Sequence, residues 1–487
     1  MTRLRGGAAL GALAAAVYLW TAPGRVQYPD DEIVLQTAVS LVEDGDLTIA
    51  GISRRTGEPK GRPAGTFGWA PGPAGERYGF FGHGLAVVAV PLVALAEATA
   101  PVVPEAWSHA VRSDHPTLHR RNHHDDWVRL VAGLINCFVT AVTVWLLAAW
   151  VRALGFTERT ALVTGAAYAF ATAAWAYTRT MLSEPLSGLC MVAAGLCVTR
   201  WQAARSPGWL WLAGAVCGFG LHVHVLNLTF LPCVVGLVLV SGRPRRGLVG
   251  AAAMLALGAG LLLLGQWLRF GDPLETGRFG HYSHFVMPWE GLVALLVAPG
   301  RSFLLYSPAV ALGLFGWAAL RRRAPAVCWF VVATFVLRWL VISTRSDWFG
   351  GWGLGARHLV PVIPLVMLAF AATLEDVLPR WRVRGRRAWW LGLAVGAGLS
   401  GYLATRSMFE WMWRLMLDPR AAEGYLDVSH WAAWASPYAG FWAQKPDVLA
   451  LGAVQLARLG HPGLLVGFVA VALGGLAALV RVVRRVA

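Results

Sequence analysis

Charge is scarce in this sequence. Only 14% of its 487 residues are Asp, Glu, Lys or Arg, where an ordinary soluble domain carries about 25%. The scarcity is uneven: 26 acids stand against 42 bases, a net charge of +16. With 57% hydrophobic residues and a mean hydropathy of +0.54, a water-soluble globule is excluded. Alternating segments of about ten residues, which a membrane barrel needs, are missing; the apolar residues run in blocks such as "GLVGAAAMLALGAGLLLLGQWL". The six cysteines (Cys137, Cys190, Cys197, Cys217, Cys233, Cys328) all fall inside apolar blocks at no metal-type spacing. They read as small core residues, not as a disulfide framework. No internal repeat and no nucleic-acid module accompanies the basic excess. It reads as the positive-inside rule, with no nucleic acid as partner.

What remains is the pattern of an all-α polytopic membrane protein, since helices satisfy their own backbone in lipid. About twelve spans are expected, at 7–23, 127–151, 160–176, 185–200, 209–225, 227–241, 248–268, 302–320, 325–343, 358–374, 388–405 and 462–480. Residues 1–23, with Arg3 and Arg5 before the apolar run, read as an uncleaved first helix. Block 85–103 is apolar but holds Pro91 and Glu97. If it does not cross, the basic clusters at 243–247, 321–325, 380–387 and 481–485 all share the side of Arg3 and Arg5. If it crosses, every later cluster violates the positive-inside rule. The reading is therefore a re-entrant or interfacial helix at 85–103, with both termini cytoplasmic. A long first outer loop then spans 24–126. The other outer segments are 177–184, 269–301, 344–357 and 406–461, where glycine, tryptophan, histidine and acid collect.

The stretch "YPDDEIVLQTAVSLVEDGDL" opens with Asp30, Asp31 and Glu32. Ile33, Leu35, Ala38, Leu41 and Val42 then recur at helical spacing, which predicts an amphipathic helix lying in the interface. Acids there complement the helix dipole and are equally placed to act as a base. Ser183 and Glu184 precede Pro185, which suits either a first-turn cap or a carboxylate that organises an acceptor or a metal. In "RSDWFGGWGLGARHL", Gly350, Gly351, Gly353 and Gly355 allow close backbone approach. Arg357 follows at a helix start, a position suited to phosphate. The stretches "LRFGDPLETGRFGHYSHF" and "APGRSFLLYSPAV" offer Asp272, Glu275, His281, Tyr282, His284 and Arg301, either a sugar or phosphate site or a solvated connector. His119, His123, His124, Asp125 and Asp126 form a histidine-rich collar whose spacing matches no metal motif. His222 and His224 sit near the outer end of their span, where ionisable groups suggest function.

In this order, these pieces resemble the polyprenyl-phosphate-dependent glycosyltransferases of the GT-C superfamily, which includes protein O-mannosyltransferases and bacterial aminoarabinose transferases. The resemblance rests on "PDDE" with "SLVEDGDL", "RYGFFGHGLAVVAVPL" (77–92), "LSEPL" (182–186), "FGDPLETG" (270–277), "PGRSFLLYSP" (299–308) and "WFGGWGLGARHLVPVIPL" (348–365). It covers the chain to about residue 375 and implies a catalytic module 1–375, followed by C-terminal helices 376–487. It implies a bundle of about twelve spans with juxtamembrane helices in the first outer loop. It implies a polyprenyl-phosphate sugar donor, and a glycan, lipid or protein acceptor. The acidic pair of the family matches Asp31-Glu32 best, with Asp31 as base and Asp30 as the one-residue alternative. Glu184 and Ser183 would organise the acceptor or a divalent metal. Arg357, Arg301 and His358 would hold the donor phosphate. His83, Tyr78, His222 and Trp352 would line the substrate pocket. The family's "GPRYL" stands here as "GARHL", with Ala356 and His358 at the changed positions. The setting implied is a bacterial cytoplasmic membrane with an extracytoplasmic site. Two other classes stay in view: a lipid-linked glycan flippase, and a subunit that keeps the fold without catalysis.

Overall fold

A computed structural model of the chain describes residues 5–50, 68–109, 123–242, 245–278, 283–422 and 424–486. His119, His281 and Tyr282 lie outside them. Among the described residues, five helices are long and apolar enough to cross a membrane: His123–Ala153, Gly247–Phe270, Pro325–Ser343, Arg357–Arg380 and Gly463–Arg484. Shorter apolar helices cover Gly6–Thr21, Gly208–Val223 and Val225–Val240, three more of the expected blocks. Expected block 302–320 is broken into Pro308–Gly313, a 3-10 turn and Trp317–Arg323. Block 160–176 ends early at Phe170, and a short helix follows at Ala174–Tyr177. The chain is thus a multi-pass helical membrane protein; the structure does not establish a count of twelve crossings.

Gly84–Thr99 is 16 residues long and carries Pro91 inside. At 1.5 Å per residue it is shorter than a bilayer's hydrocarbon core of about 30 Å, as are Gly6–Thr21 and Gly208–Val223, so length alone does not decide whether it crosses. It packs against Pro29–Glu43 and His123–Ala132. His124 ion-pairs with Glu97 at 2.9 Å, and His123 Nε2 meets the Ala100 carbonyl at 3.1 Å. Those two histidines lock the first loop together.

The helix Pro29–Glu43 departs from the amphipathic reading. Eight of its 15 residues are buried, Asp31, Glu32, Ile33 and Thr37 among them. The cause is a small antiparallel sheet that the sequence reading did not include. Thr48–Ala50 and Trp69–Pro71 both pair with Arg77–Gly79, in the order first, third, second. Sheet and Gly84–Thr99 together cover a helix that would otherwise lie in the interface.

Two close approaches set the frame of the site. A Cβ on Gly214 would meet the Ala251 carbonyl at 2.2 Å, and one on Gly258 would meet the Gly218 Cα at 2.4 Å. Small residues four apart let helices Gly208–Val223 and Arg245–Phe270 touch backbone to backbone. At the other end of the chain, Gly463–Val486 packs on Arg5–Thr21. Asp447 takes Arg25 at 2.9 Å and Arg179 at 3.2 Å, which fastens the C-terminal segment beside the loop that leads to Glu184.

Candidate functional site

Three distant segments meet at Arg357. Its Nη1 lies 2.8 Å from Asp30 Oδ2 and its Nε 2.7 Å from Glu184 Oε1. Each partner is positioned by its own local chemistry. Pro29 starts the Pro29–Glu43 helix and puts Asp30 in its first turn. Pro185 does the same for Glu184–Ala204, and the loop before it is pinned where Asn136 Nδ2 donates to the Thr180 and Leu182 carbonyls. Ser183 sits at the N-cap but makes no capping bond.

Arg357 is wrapped by the glycine-rich loop. Gly350 holds φ +73°, and a Cβ on it would stand 2.7 Å from the Arg357 Cβ; one on Gly353 would stand 2.7 Å from the Arg357 Cδ. A side chain at either position would displace the guanidinium. Arg301 supports this loop from behind. It is fully buried and donates to the Gly353 carbonyl at 2.6 Å and to Ser429 Oγ at 3.1 Å. Trp352 packs on Phe409 at 5.4 Å between ring centres, and Trp348 packs on His430 at 5.0 Å. Arg301 and Trp352 therefore join the loop to the C-terminal segment that holds Phe409 and Ser429, which the sequence reading left without a role.

The three adjacent acids have three different environments. Asp30 is partly accessible and faces Arg357. Asp31 is 0% exposed, and neither carboxylate oxygen has a hydrogen-bond partner among the described residues. Burial raises its pKa well above the usual carboxylate range, and the neighbouring Asp30 charge adds to this; Arg357 and the backbone at Met181 and Gln27 pull the other way, more weakly. Glu32 is held by Arg129, with Nε at 3.1 Å and Nη2 at 2.8 Å, and by Gln36 at 2.8 Å. That pairing ties the first loop to the His123–Ala132 helix and takes Glu32 out of the Arg357 cluster.

His358 is 2% exposed, its Nδ1 is 3.8 Å from Glu184 Oε1, and neither ring nitrogen has a hydrogen-bond partner among the described residues. Glu184 Oε2 lacks one too. Buried polar atoms are nearly always paired, so the concentration of unpaired ones beside Arg357 among the described residues makes this a candidate ligand site. Nearby, Asp347 Oδ2 receives Nη2 of Arg345 and Nη2 of Arg278, each at 2.8 Å. Its Oδ1 receives Arg345 Nε at 2.8 Å and Ser283 Oγ at 3.0 Å. Burial raises the Asp347 pKa, but the Arg345 bonds and both arginine charges outweigh it and hold the carboxyl well below its ordinary range. Arg338, inside the Pro325–Ser343 helix, donates to the His358 carbonyl at 2.6 Å and to Asn227 Oδ1 at 3.2 Å. Arg278, Arg338, Arg345 and Asp347 escaped the sequence reading. The signals present were a lone arginine in an apolar span and the Arg-Ser-Asp triplet.

A second polar group joins the segment before Gly84–Thr99 to the helices Gly208–Val223 and Arg245–Phe270. His222 Nε2 meets the Gly258 carbonyl at 2.8 Å, so that nitrogen carries a proton. In the neutral ring its Nδ1 is then bare and accepts from His83 Nε2 at 2.8 Å. His83 Nδ1 is left as a buried, bare acceptor without a partner among the described residues. Burial and then the Arg269 charge draw the His83 pKa down to about 3. His83 and Arg269 wall a narrow pocket with Ile33, Val34 and Thr37. Tyr78 packs edge-on against Phe270 at 6.0 Å and contributes to the wall's frame; it does not line the pocket. Asp272 and Glu275 close turns on the Leu274 and Gly277 amides. His284 is exposed and pairs through its backbone with Ser346. Among the described residues, no three His, Cys, Asp or Glu side chains gather to hold a metal ion.

No protein-family model matches this sequence, and no curated protein does. Solved structures do. ArnT from Cupriavidus metallidurans in the apo state superposes with a TM-score of 0.50 at 15% identity, over 91% of this chain and 75% of that one. ArnT bound to undecaprenyl phosphate gives 0.50 at 15%, over 93% and 77%. The archaeal oligosaccharyltransferase AglB from Archaeoglobus fulgidus, with an inhibitory peptide and a dolichol-phosphate, gives 0.46 at 13%, over 90% and 60%. At such identity the likeness to ArnT is one of fold alone.

Proposed function

We propose that this protein is a membrane glycosyltransferase that moves a sugar from a polyprenyl-phosphate carrier to an acceptor hydroxyl at the extracytoplasmic face. The observation that carries this reading is the Asp30–Arg357–Glu184 cluster, with its unpaired buried neighbours, on the ArnT-like fold. That ArnT is seen with undecaprenyl phosphate supports the choice of carrier. Both termini are cytoplasmic in this reading. Residues 1–375 form the catalytic module, and 376–487 brace its glycine loop through Ser429.

A phosphate leaves without a strong acid, so the donor side needs only fixed positive charge. The acceptor hydroxyl needs a base. Asp30 fills that role better than Asp31, because a base must reach solvent-side substrate and be ionised. Asp31 is sealed in and held toward its neutral form. Arg357 holds Asp30 in place, and Glu184 fixes Arg357 from the other side. Direct attack by the activated hydroxyl at the anomeric carbon forms the new C–O bond as the bond to phosphate breaks. The product is inverted.

The test uses full-length protein in lipid nanodiscs with a panel of polyprenyl-phosphate hexoses and pentoses, following release of polyprenyl phosphate. Turnover that Asp30→Asn lowers by about 10² to 10⁴-fold is expected. No release from any donor would overturn the reading, as would full turnover in a folded Asp30→Asn variant.

A further inference from the structure

The two arginine clusters carry opposite net charge. Around Arg357 one guanidinium stands between two carboxylates, Asp30 and Glu184. In ionised form that unit is net negative and poorly suited to welcome another anion. Around Asp347 the ratio is reversed: Arg345 and Arg278 share one carboxylate, and the unit is net positive. Asp347 is fully engaged by its four donors. The arginines are not. Arg278 Nε is buried and without a partner among the described residues, and only one of its guanidinium nitrogens reaches Asp347. Arg345 commits Nε and Nη2 to Asp347, and its Nη1 makes no hydrogen bond among the described residues.

The unit is rigid and belongs to the same neighbourhood. Phe285 bridges Arg345 as an isolated antiparallel pair, and Val286 N donates to the Thr344 carbonyl at 2.7 Å. Gly350 N donates to the Asp347 carbonyl at 2.9 Å, where the loop that wraps Arg357 begins. Arg278 is close enough to feel the charges of Asp30 and Arg357. Its guanidinium also lies over Phe80 and Phe81, 5.4 and 5.7 Å from the ring centres.

We infer that Arg278 and Arg345, organised by Asp347, form the site for the donor's phosphate, and that Arg357 serves the base. Two planar forks preset by a shared carboxylate offer several N–H groups to a tetrahedral anion at little ordering cost. The division also separates the reacting groups: the negative half presents Asp30 to the acceptor, and the positive half takes the charge left on the departing phosphate. This inference rests on the transferase reading for the identity of the ligand, a lipid phosphate, but its test does not need turnover.

The experiment measures binding of undecaprenyl phosphate to full-length protein in nanodiscs by tryptophan fluorescence or ³¹P NMR, with inorganic phosphate as competitor. Arg278→Gln and Arg345→Lys should each raise Kd about tenfold or more, since a charge-assisted bond is worth about that factor. Arg345→Lys keeps the charge and guards against misfolding. Asp30→Asn should bind at least as tightly as wild type. The inference is overturned if both arginine variants bind like wild type, or if Arg357→Lys weakens binding as much as they do. Inorganic phosphate that competes at the lipid's own concentrations would overturn the lipid assignment. Arginine-dependent binding without transfer from any donor would leave this site standing and remove the transferase reading.

Discussion

Asp30 and Arg357 lie 327 positions apart in the chain and 2.8 Å apart in space. The carboxylate comes from the Pro29–Glu43 helix and the guanidinium from the entry to a late helix, so the contact forms only when the bundle is complete. Replacing Asp30 by Asn should lower transfer by about 10² to 10⁴-fold, the range for a lost general base, with Arg357 still held by Glu184. Steady-state transfer in nanodiscs is the measurement.

Asp31→Asn should behave differently, and pH shows why. Its folded pKa is raised, so the folded state holds a proton that the unfolded chain has released. Its stabilising contribution is complete below the ordinary value of about 3.9 and is lost as pH rises toward the raised one. The wild-type melting temperature should therefore fall across that window, relative to a flatter Asp31→Asn curve. Transfer by the variant should stay close to wild type. A parallel pair of melting curves would remove the assignment of Asp31 as a buried neutral acid.

The glycine loop makes a graded prediction. Gly351 has φ +60° but open space where a Cβ would go, whereas Gly350 has φ +73° and Arg357 only 2.7 Å away. Gly351→Ala should cost about 1 kcal/mol of stability from the backbone alone and keep most activity. Gly350→Ala adds the collision and should lose transfer as well. Thermal melts paired with transfer assays separate the two.

Much of this site was legible in the residue order. Asp30, Glu184 and Arg357 each stood beside a helix-starting proline or a glycine run, and positive-inside bookkeeping put them on one face. What the sequence could not show was pairing at long range. Nothing near Glu32 announces Arg129, 97 positions away. Asp31 and Asp30 are chemically identical in the string and differ only in what covers them. The small sheet at Thr48–Gly79 was hidden because its strands are three residues long, too short to show a period of two. That sheet turned an expected interfacial helix into a buried one.

Glu32 and Arg129 form a structural pair by this account, and energetics can test it. Both are largely buried, and their contact is bidentate. Removing Arg129 leaves Glu32 without its cation, at a cost of about 3–5 kcal/mol; removing Glu32 leaves Arg129 only the looser 3.8 Å contact with Asp126. Glu32→Leu or Arg129→Met alone should therefore destabilise strongly. The double variant should recover most of that loss, because a buried ion pair adds little over apolar packing. Transfer per folded molecule should be unchanged throughout, as read from melting curves and activity normalised to folded protein.

His83 gives the last prediction, and its helix supplies the geometry. Asp30, Ile33, Val34 and Thr37 follow the spacing of a single helical face, and the last three line the pocket that His83 and Arg269 wall. The pocket floor thus begins roughly 5–6 Å along the helix from the base, one turn away. A bare imidazole nitrogen there accepts a hydroxyl proton and has no use for a phosphate oxygen. His83→Leu should accordingly raise the acceptor KM about tenfold, the worth of one lost hydrogen bond at a buried site, and leave the donor KM and the slow hydrolysis of donor by water as they are. His222→Phe, which frees the His83 ring to change tautomer, should move the same constant in the same direction by less. If His83→Leu instead raises the donor KM, the pocket belongs to the carrier's side of the site.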